Sequence, residues 1–125
     1  MVDPNGFLMI EPKSRANKTV IDDLTRSVTA LLRTAEEGQG WFGRHECICG
    51  ACSEYRDLWV EISGKKYLTN SLAVHYAACH RDEIPQRQMK LIESLKGTEE
   101  PTAKELYGRR PFGKVVPNYS SVDPL

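Results

Sequence analysis

All four cysteines and all three histidines of this 125-residue chain fall between positions 45 and 80, in two short clusters. The first cluster, residues 45–52, reads H-E-C-I-C-G-A-C, and the second, residues 75–80, reads H-Y-A-A-C-H. Thiolate sulfur and imidazole nitrogen are typical ligands of Zn²⁺, and a structural zinc site takes four of them in a tetrahedron. The spacing therefore predicts one metal ion, held by two ligands from each cluster. Zinc is the simplest choice, although a mixed thiolate–imidazole shell leaves iron open.

The first cluster offers two cysteine pairs. Cys47 and Cys49 lie in a C-I-C-G sequence typical of a zinc knuckle, where backbone amides point at the sulfurs and Gly50 relieves the tight turn. Cys49 and Cys52 have the commoner two-residue gap but no glycine after the second cysteine. Turn chemistry therefore favours Cys47 and Cys49, and Cys52 is an alternate ligand. His45 is expected at the surface or beside the ligands rather than among them.

The second cluster lies at the end of a helix expected over residues 71–80. On a regular helix, positions four apart are about 40° apart around the axis, so His75 and Cys79 would form the better pair. Pro85 ends the helical region soon afterwards. A loosened last turn can bring His75 and His80 together, at a spacing found in zinc sites. His75 and His80 are thus the predicted pair, and Cys79 is the alternate ligand.

The stretch over residues 45–80 resembles the two-cysteine, two-histidine zinc finger. In that family an extended segment follows the cysteine pair, and a leucine three residues before the first histidine packs beneath the metal. The resemblance assigns the cysteine pair to Cys47 and Cys49, the leucine to Leu72, and the histidine pair to His75 and His80. The cysteine gap is one residue where the family usually has two, and the middle segment is about twice the usual length.

The resemblance would imply DNA reading by the exposed face of the helix. That face is expected to contain Ser71, Ala73, Tyr76 and Ala77, which cannot form the paired hydrogen bonds that arginine or asparagine makes to bases. The 17 basic and 17 acidic residues cancel, so the chain has no net charge that favours a phosphate backbone. Recognition of a protein partner by a structural zinc module is therefore the predicted function. Nucleic-acid binding is the alternative.

Two enzyme functions are further alternatives. Glu46 and Glu83 lie beside the ligand clusters and could act as general bases for a catalytic zinc. However, the sequence has no H-E-x-x-H motif, and it has enough ligands to close the metal shell. Cys49 and Cys52 have the C-x-x-C spacing of thiol-redox enzymes, but the βαβ context of those enzymes is missing. The prediction is a structural site without catalysis.

The surrounding elements predict a small α+β fold, in which a finger-like zinc module of knuckle, short strands and helix packs with flanking α-helices. Apolar residues at three- and four-residue spacing predict an amphipathic helix over residues 19–37, begun by Thr19 and Asp22 as a capping box and ended by a glycine. Its apolar face is expected to pack on the zinc module or, alternatively, to join two copies of the chain. Residues 58–63 alternate between apolar and polar, which predicts a strand, and residues 63–66 predict the turn after it.

The chain is expected to divide into an N-terminal arm (residues 1–18), a unit of helix, zinc module and C-terminal helix (residues 19–97), and a short helix with an extended tail (residues 98–125). Phe7, Leu8 and Ile10 could dock the arm, either on this domain or on a neighbouring copy of the chain. The early sequence has no signal peptide and no run long enough to span a membrane, so the protein is expected in the cytoplasm without a membrane partner. Thiols stay reduced there, which disfavours the alternative of two disulfides.

Overall fold

The computed structural model describes residues 6–38, 45–54, 57–108 and 122–123. In chain order, the elements are β1 (Thr19–Val20), α1 (Asp23–Leu32), β2 (Glu36–Glu37), β3 (Leu58–Ile62), β4 (Lys65–Thr69), α2 (Ala73–Cys79), a 3-10 helix (Arg81–Glu83), α3 (Gln86–Glu93), α4 (Ala103–Tyr107) and β5 (Val122–Asp123). Helices and a three-stranded antiparallel sheet occur in one chain, which confirms the predicted α+β class. Within the described ranges, every helix is too short or too polar to cross a membrane.

Helix α1 is shorter than the helix predicted over residues 19–37. Asp22 caps it: the backbone there is extended, and the carboxylate accepts a hydrogen bond from the Thr25 amide at 3.0 Å. The predicted start at Thr19 is wrong, because Thr19 lies in β1, which pairs in parallel with β5. The predicted end is also wrong, because α1 ends at Leu32 and the two residues of β2 pair with β3.

The apolar face of α1 packs inside the molecule. Val28 on this face is fully buried, and α1 contacts α2 and α3. Thr29 is also fully buried, and its hydroxyl donates a hydrogen bond to the Thr25 carbonyl at 2.8 Å. The first helix therefore packs against the element that carries the histidine cluster, as its amphipathic pattern predicted.

Strands β3 and β4 form a hairpin, in which the predicted strand and the turn after it are present, although residues 65 and 66 of the predicted turn belong to β4. Ser63 and Gly64 connect them, with φ angles of 52° and 82°. Two consecutive positive φ angles are characteristic of a two-residue type I′ turn. Val60 and Ile62 are buried while Trp59 is exposed, so the predicted alternation along the strand is confirmed. Strand β2 pairs with the outer edge of β3, which gives the sheet order β2-β3-β4.

The described part of the N-terminal arm is docked on its own domain. Phe7 and Leu8 are fully buried, and the Phe7 amide donates a hydrogen bond to the Leu68 carbonyl at 2.8 Å. Gln88 of α3 holds the arm from the other side. Its side-chain oxygen accepts from the Leu8 amide, and its side-chain nitrogen donates to the Gly6 carbonyl, both at 3.0 Å. The arm therefore belongs to the core.

Helix α2 is the most buried helix of the described chain. Its start is stabilised by the Asn70 side chain, which accepts a hydrogen bond from the Leu72 amide at 2.8 Å. All six positions from Ala73 to Ala78 are buried. The helices α1 and α4 pack against α2. The second ligand cluster is thus carried by the central element of the fold.

The last two helices agree in place, though not in length, with the predictions. Helix α3 begins after Pro85 and ends at Glu93, four residues before residue 97, the expected end of the unit that contains it. Helix α4 has a capping box between Thr102 and Glu105, and it ends at Gly108, where φ is 68°. The predicted extended tail beyond this glycine lies outside the described residues, apart from the short strand β5.

Candidate metal centre

The first two candidate ligands lie in a tight hairpin, residues 45–54, which we call the knuckle. The Cys47 amide donates to the Ala51 carbonyl and the Gly50 amide donates to the Cys47 carbonyl, each at 2.8 Å. Gly50 has a φ of 91°, a conformation that costs glycine little and other residues much more. The tight turn at Gly50 that the C-I-C-G sequence predicted is therefore present, although these two amides donate to carbonyls and not to the sulfurs. It holds the side chains of Cys47 and Cys49 close together.

The other two candidates come from the end of α2. His75 lies within the helix, whereas His80 follows its last residue and has non-helical angles, φ −126° and ψ 36°. This change of direction leaves the two imidazole rings 5.0 Å apart between centroids. The predicted loosening of the last turn is therefore confirmed.

The ligand atoms of all four predicted residues converge. One ligand atom each from Cys47, Cys49, His75 and His80 lies within 4.8 Å of the others. His80 Nε2 lies 3.2 Å from Cys47 Sγ and 3.3 Å from Cys49 Sγ. A tetrahedral zinc ion with bonds of about 2.0–2.3 Å separates its ligand atoms by roughly 3.5 Å. No residue of the four is more than 3% exposed. The donor set and its spacing therefore fit a buried four-coordinate zinc ion.

Each histidine has an acceptor beside its outer ring nitrogen. His75 Nδ1 lies 2.7 Å from the Leu106 carbonyl oxygen, so Nδ1 carries the proton and Nε2 keeps its lone pair. His80 Nδ1 lies 3.7 Å from Glu83 Oε2. Histidines that bind metals almost always direct their second nitrogen at a carbonyl or carboxylate, which orients the ring. Both histidines therefore have surroundings typical of metal ligands.

The N-terminal arm passes over the site and contacts it at two points. The Ala16 amide donates a hydrogen bond to Cys49 Sγ at 3.0 Å. The Glu83 carboxylate accepts from the amides of Lys13 and Ser14 at 2.7 and 3.4 Å. No signal in the sequence points to these backbone amides, because they act through a contact between distant segments. They place positive dipoles beside the site's anionic groups.

The two knuckle thiols have opposite pKa shifts. The pKa of Cys49 lies well below its ordinary value, chiefly because Cys47 donates a hydrogen bond to it, with further contributions from the neighbouring imidazoles of His75 and His80 and from the Ala16 amide; these outweigh the effect of burial. The pKa of Cys47 is raised by the same interaction and by burial. The contact between the two sulfurs therefore favours the thiolate form of Cys49 and the thiol form of Cys47. Since zinc binds cysteine as a thiolate, metal binding would displace a thiol proton from this pair.

The two alternate cysteines lie outside this group of four. Cys52 is buried, and its Sγ lies 3.6 Å from a Glu46 carboxylate oxygen. Cys79 is partly buried, with its Sγ 3.5 Å from Thr19 Oγ1, and burial raises the pKa of its thiol to about 12. Cys79 is thus protonated at neutral pH. The structure places neither alternate in the cluster.

The remaining residues that the sequence singled out have other positions. His45 Nε2 lies 3.5 Å from Asp57 Oδ1, and its side chain is 40% exposed, in agreement with its predicted place at the surface. Leu72 is fully buried immediately before α2, as the finger resemblance implies for the core leucine. His45 is therefore not part of the group of four candidate ligands.

The exposed helix face expected from the sequence is wrong. Ala73, Tyr76 and Ala77 are at most 3% exposed, because α1 and α4 cover α2. A zinc finger reads DNA by inserting its helix into the major groove. A helix buried on these sides cannot enter a groove, so the docking geometry of a finger does not apply here.

Comparisons of the chain with protein-family models, curated proteins and solved structures gave no match. The likeness to a two-cysteine, two-histidine site is therefore one of ligand set and arrangement. It consists of a cysteine knuckle and a helix end that bring four ligand atoms together.

Proposed function

We propose that the protein binds one zinc ion through Cys47, Cys49, His75 and His80, and that the ion has a structural role. The observation that carries this proposal is the convergence of four buried ligand atoms, within 4.8 Å of one another, from two separate elements. Two thiolates and two neutral imidazoles balance the charge of Zn²⁺. The ion can therefore be buried without an uncompensated charge, which would be costly in the interior.

A structural role is favoured because the four protein ligands are sufficient to fill a tetrahedral shell. A catalytic zinc keeps one position for water or substrate. The knuckle contains no helix, and its one strand-like contact in the described structure is an isolated bridge between Glu46 and Cys52. A zinc ion would join this segment to the central helix α2. Such a cross-link contributes its binding free energy directly to folding.

We propose no catalytic role for the site. Glu83, the nearest candidate for a general base, accepts hydrogen bonds from the arm and lies beside His80. Glu46 faces Cys52 instead of the ligand group. Of the C-x-x-C pair, Cys49 belongs to the ligand group and Cys52 does not, which speaks against thiol-redox chemistry between them.

The folded module then acts in protein interaction or regulation. In the described part of the chain, Ile48 in the knuckle and Trp59 on β3 are large hydrophobic residues that stay exposed, at 48% and 39%. Exposed tryptophan is enriched among residues that dominate the binding energy of protein interfaces. We place the contact with a protein partner at Trp59, with Ile48 as a second candidate.

The metal proposal is tested by metal analysis of the freshly purified full chain. One zinc per chain is expected in the wild type and in Cys52→Ser, and much less than one in Cys49→Ser. Cys52 is the matched control, because it is a buried cysteine of the same knuckle. Iron in place of zinc would contradict the choice of metal. Equal zinc in all three proteins would contradict the ligand set.

The partner proposal is tested by the salt dependence of binding. The affinity for nucleic acid falls steeply as salt rises, because binding releases counterions from the phosphates and this release is less favourable at high salt. The affinity of an apolar contact with a protein does not fall in this way. Capture from an extract by wild type and by Trp59→Ser, at low and high salt, separates the two. A protein that is retained at high salt and lost with Trp59→Ser supports the proposal. Recovery of salt-sensitive nucleic acid by both variants favours the alternative.

A further inference from the structure

A cavity of about 490 Å³ lies beside the metal centre. One wall is the arm, residues 13–18, and the other is the end of α2 with the following 3-10 helix, residues 78–83. Small-molecule sites are typically about 300–1,000 Å³ in volume. The cavity is therefore large enough for a ligand of metabolite size, and it shares only His80 with the four ligand residues.

The arm lines this cavity with three cations. Lys13, Arg15 and Lys18 are exposed residues of the lining. Their side chains make no hydrogen bond or ion pair with the part of the chain that the structure describes. Arg81 also lines the cavity, but its guanidinium is bound to the Asp22 carboxylate at 2.7 and 3.0 Å. Three positive charges are thus available to a ligand.

The negative charge of the lining is smaller. Glu83 is engaged by the amides of Lys13 and Ser14 and lies beside His80. Asp82 is the second carboxylate of the lining and is exposed. The lining thus has three arm cations and one carboxylate, that of Asp82, which the arm amides do not bind. This excess of positive charge favours an anionic ligand.

The cationic wall is held in place by the same hydrogen bonds that cross the metal centre. Ala16 lies between Arg15 and Lys18 in the chain, and its amide donates a hydrogen bond to Cys49 Sγ. The Lys13 amide is bound to Glu83. A wall that is already ordered lowers the entropic cost of binding a ligand.

We propose that this cavity binds a small molecule that carries a phosphate group. A phosphate monoester has about two negative charges near neutral pH. Arg15 can donate two parallel hydrogen bonds to phosphate oxygens, and Lys13 and Lys18 add point charges. A concave site also suits a small ligand better than a nucleic-acid strand, which follows an extended basic groove with stacking aromatics. This inference goes beyond the proposed function.

The test uses the full chain as purified and follows its backbone amides by NMR during titration with inorganic phosphate. Saturable shifts are expected for amides of residues 13–18 and 78–83. Chloride at equal ionic strength should not produce them. The absence of saturable shifts with phosphate would overturn the proposal, as would tighter binding of succinate, which carries carboxylates only.

Two matched variants locate the site. The triple substitution Lys13→Gln, Arg15→Gln and Lys18→Gln removes the three cations of the arm and is expected to weaken phosphate binding at least about tenfold. The control Lys65→Gln, Lys66→Gln and Lys90→Gln removes the same charge at exposed positions outside this cavity and should leave binding unchanged within about twofold. Equal weakening in both variants would show a general charge effect and overturn the proposal.

Discussion

The knuckle and the helical half of the molecule are stabilised in different ways. The knuckle, residues 45–54, has turn hydrogen bonds and two buried cysteines that point at histidines. The helical half, formed by α1, α3 and α4, has fully buried apolar side chains such as Val28 and Ile92, and ion pairs such as Arg33 with Glu105 at 2.8 Å. Packing and ion pairs account for the stability of the helical half. The knuckle and the end of α2 bring together thiols and imidazoles in an arrangement that is compatible with a metal ion.

Helix α2 belongs to both regions. Its end carries His75 and His80 toward the knuckle, while α1 and α4 pack on its other sides. Arg81, just beyond α2, donates to the Asp22 carboxylate that caps α1. Loss of the metal should therefore affect the knuckle first and reach the helical half through α2.

The largest effect is expected from Ile92→Ala, which tests whether packing alone stabilises the helical half. Ile92 is fully buried in α3. Its truncation should lower the free energy of unfolding by about 2–5 kcal/mol, while the control Ile92→Leu should cost less than about 1.5 kcal/mol. Urea unfolding followed by circular dichroism measures both. Zinc content should stay at one per chain among the folded molecules, and its loss would contradict the division into two regions.

A smaller effect is expected from Glu83→Gln, which tests whether the carboxylate beside His80 strengthens metal binding. Glu83 lies beside His80 Nδ1 and binds the arm amides. Loss of such a carboxylate typically weakens metal binding by about 10- to 100-fold. Competition with a chromophoric chelator measures the affinity, and Asp82→Asn, an exposed neighbour, is the control. Equal affinities of Glu83→Gln and wild type would remove Glu83 from the metal centre.

The smallest effect is expected from Asp22→Asn, which tests the link between the regions. Burial raises the pKa of Asp22, but hydrogen bonds from Arg81 and the Thr25 amide outweigh it and lower the pKa from 3.8 to about 2. Because this pKa is depressed in the folded state, its contribution to stability is present above about pH 4 and is lost as the pH falls toward 2.

Asparagine keeps the helix cap but loses the charge, so Asp22→Asn should cost no more than about 1 kcal/mol at pH 7. The difference from wild type should shrink as the pH falls below 4, in unfolding measurements made across that range. A difference that is independent of pH would show that the ion pair with Arg81 does not contribute. Asp22→Ala, which also removes the cap, should cost about 1 kcal/mol more.

The convergence of the four candidate residues was predictable because each pair depends on local geometry. One intervening residue and a glycine define the knuckle around Cys47 and Cys49, and Gly50 does adopt the left-handed conformation. His75 and His80 can face the same point only if the helix loosens at its end, and the nearby Pro85 indicated that the helix ends there. The strand β3 and the turn after it were predictable for the same reason, since their residues lie together in the chain.

The other features of the fold depend on contacts between distant segments. The spacing of apolar residues along the sequence does not specify such contacts. Residues 19–37 have a helical pattern throughout, but pairing of Thr19 with β5 and of Glu36 with β3 takes both ends of the pattern into strands. Phe7, Leu8 and Ile10 indicated that the arm could dock, but nothing in the sequence identified Gln88 as the residue that holds it. The burial of α2, which excludes finger-like DNA reading, also results from packing by distant helices.

The most direct test of the structural zinc is thermal unfolding of the full chain before and after removal of metal with a chelator, with zinc counted in both samples. One zinc per chain is expected, with a melting temperature that falls by roughly 10 °C or more when it is removed and with loss of amide-exchange protection in residues 45–54 first. Cys49→Ser, treated in the same way, should show no further change. Removal of the zinc with an unchanged melting temperature would contradict a structural role, and absence of zinc from fresh protein would contradict the site itself.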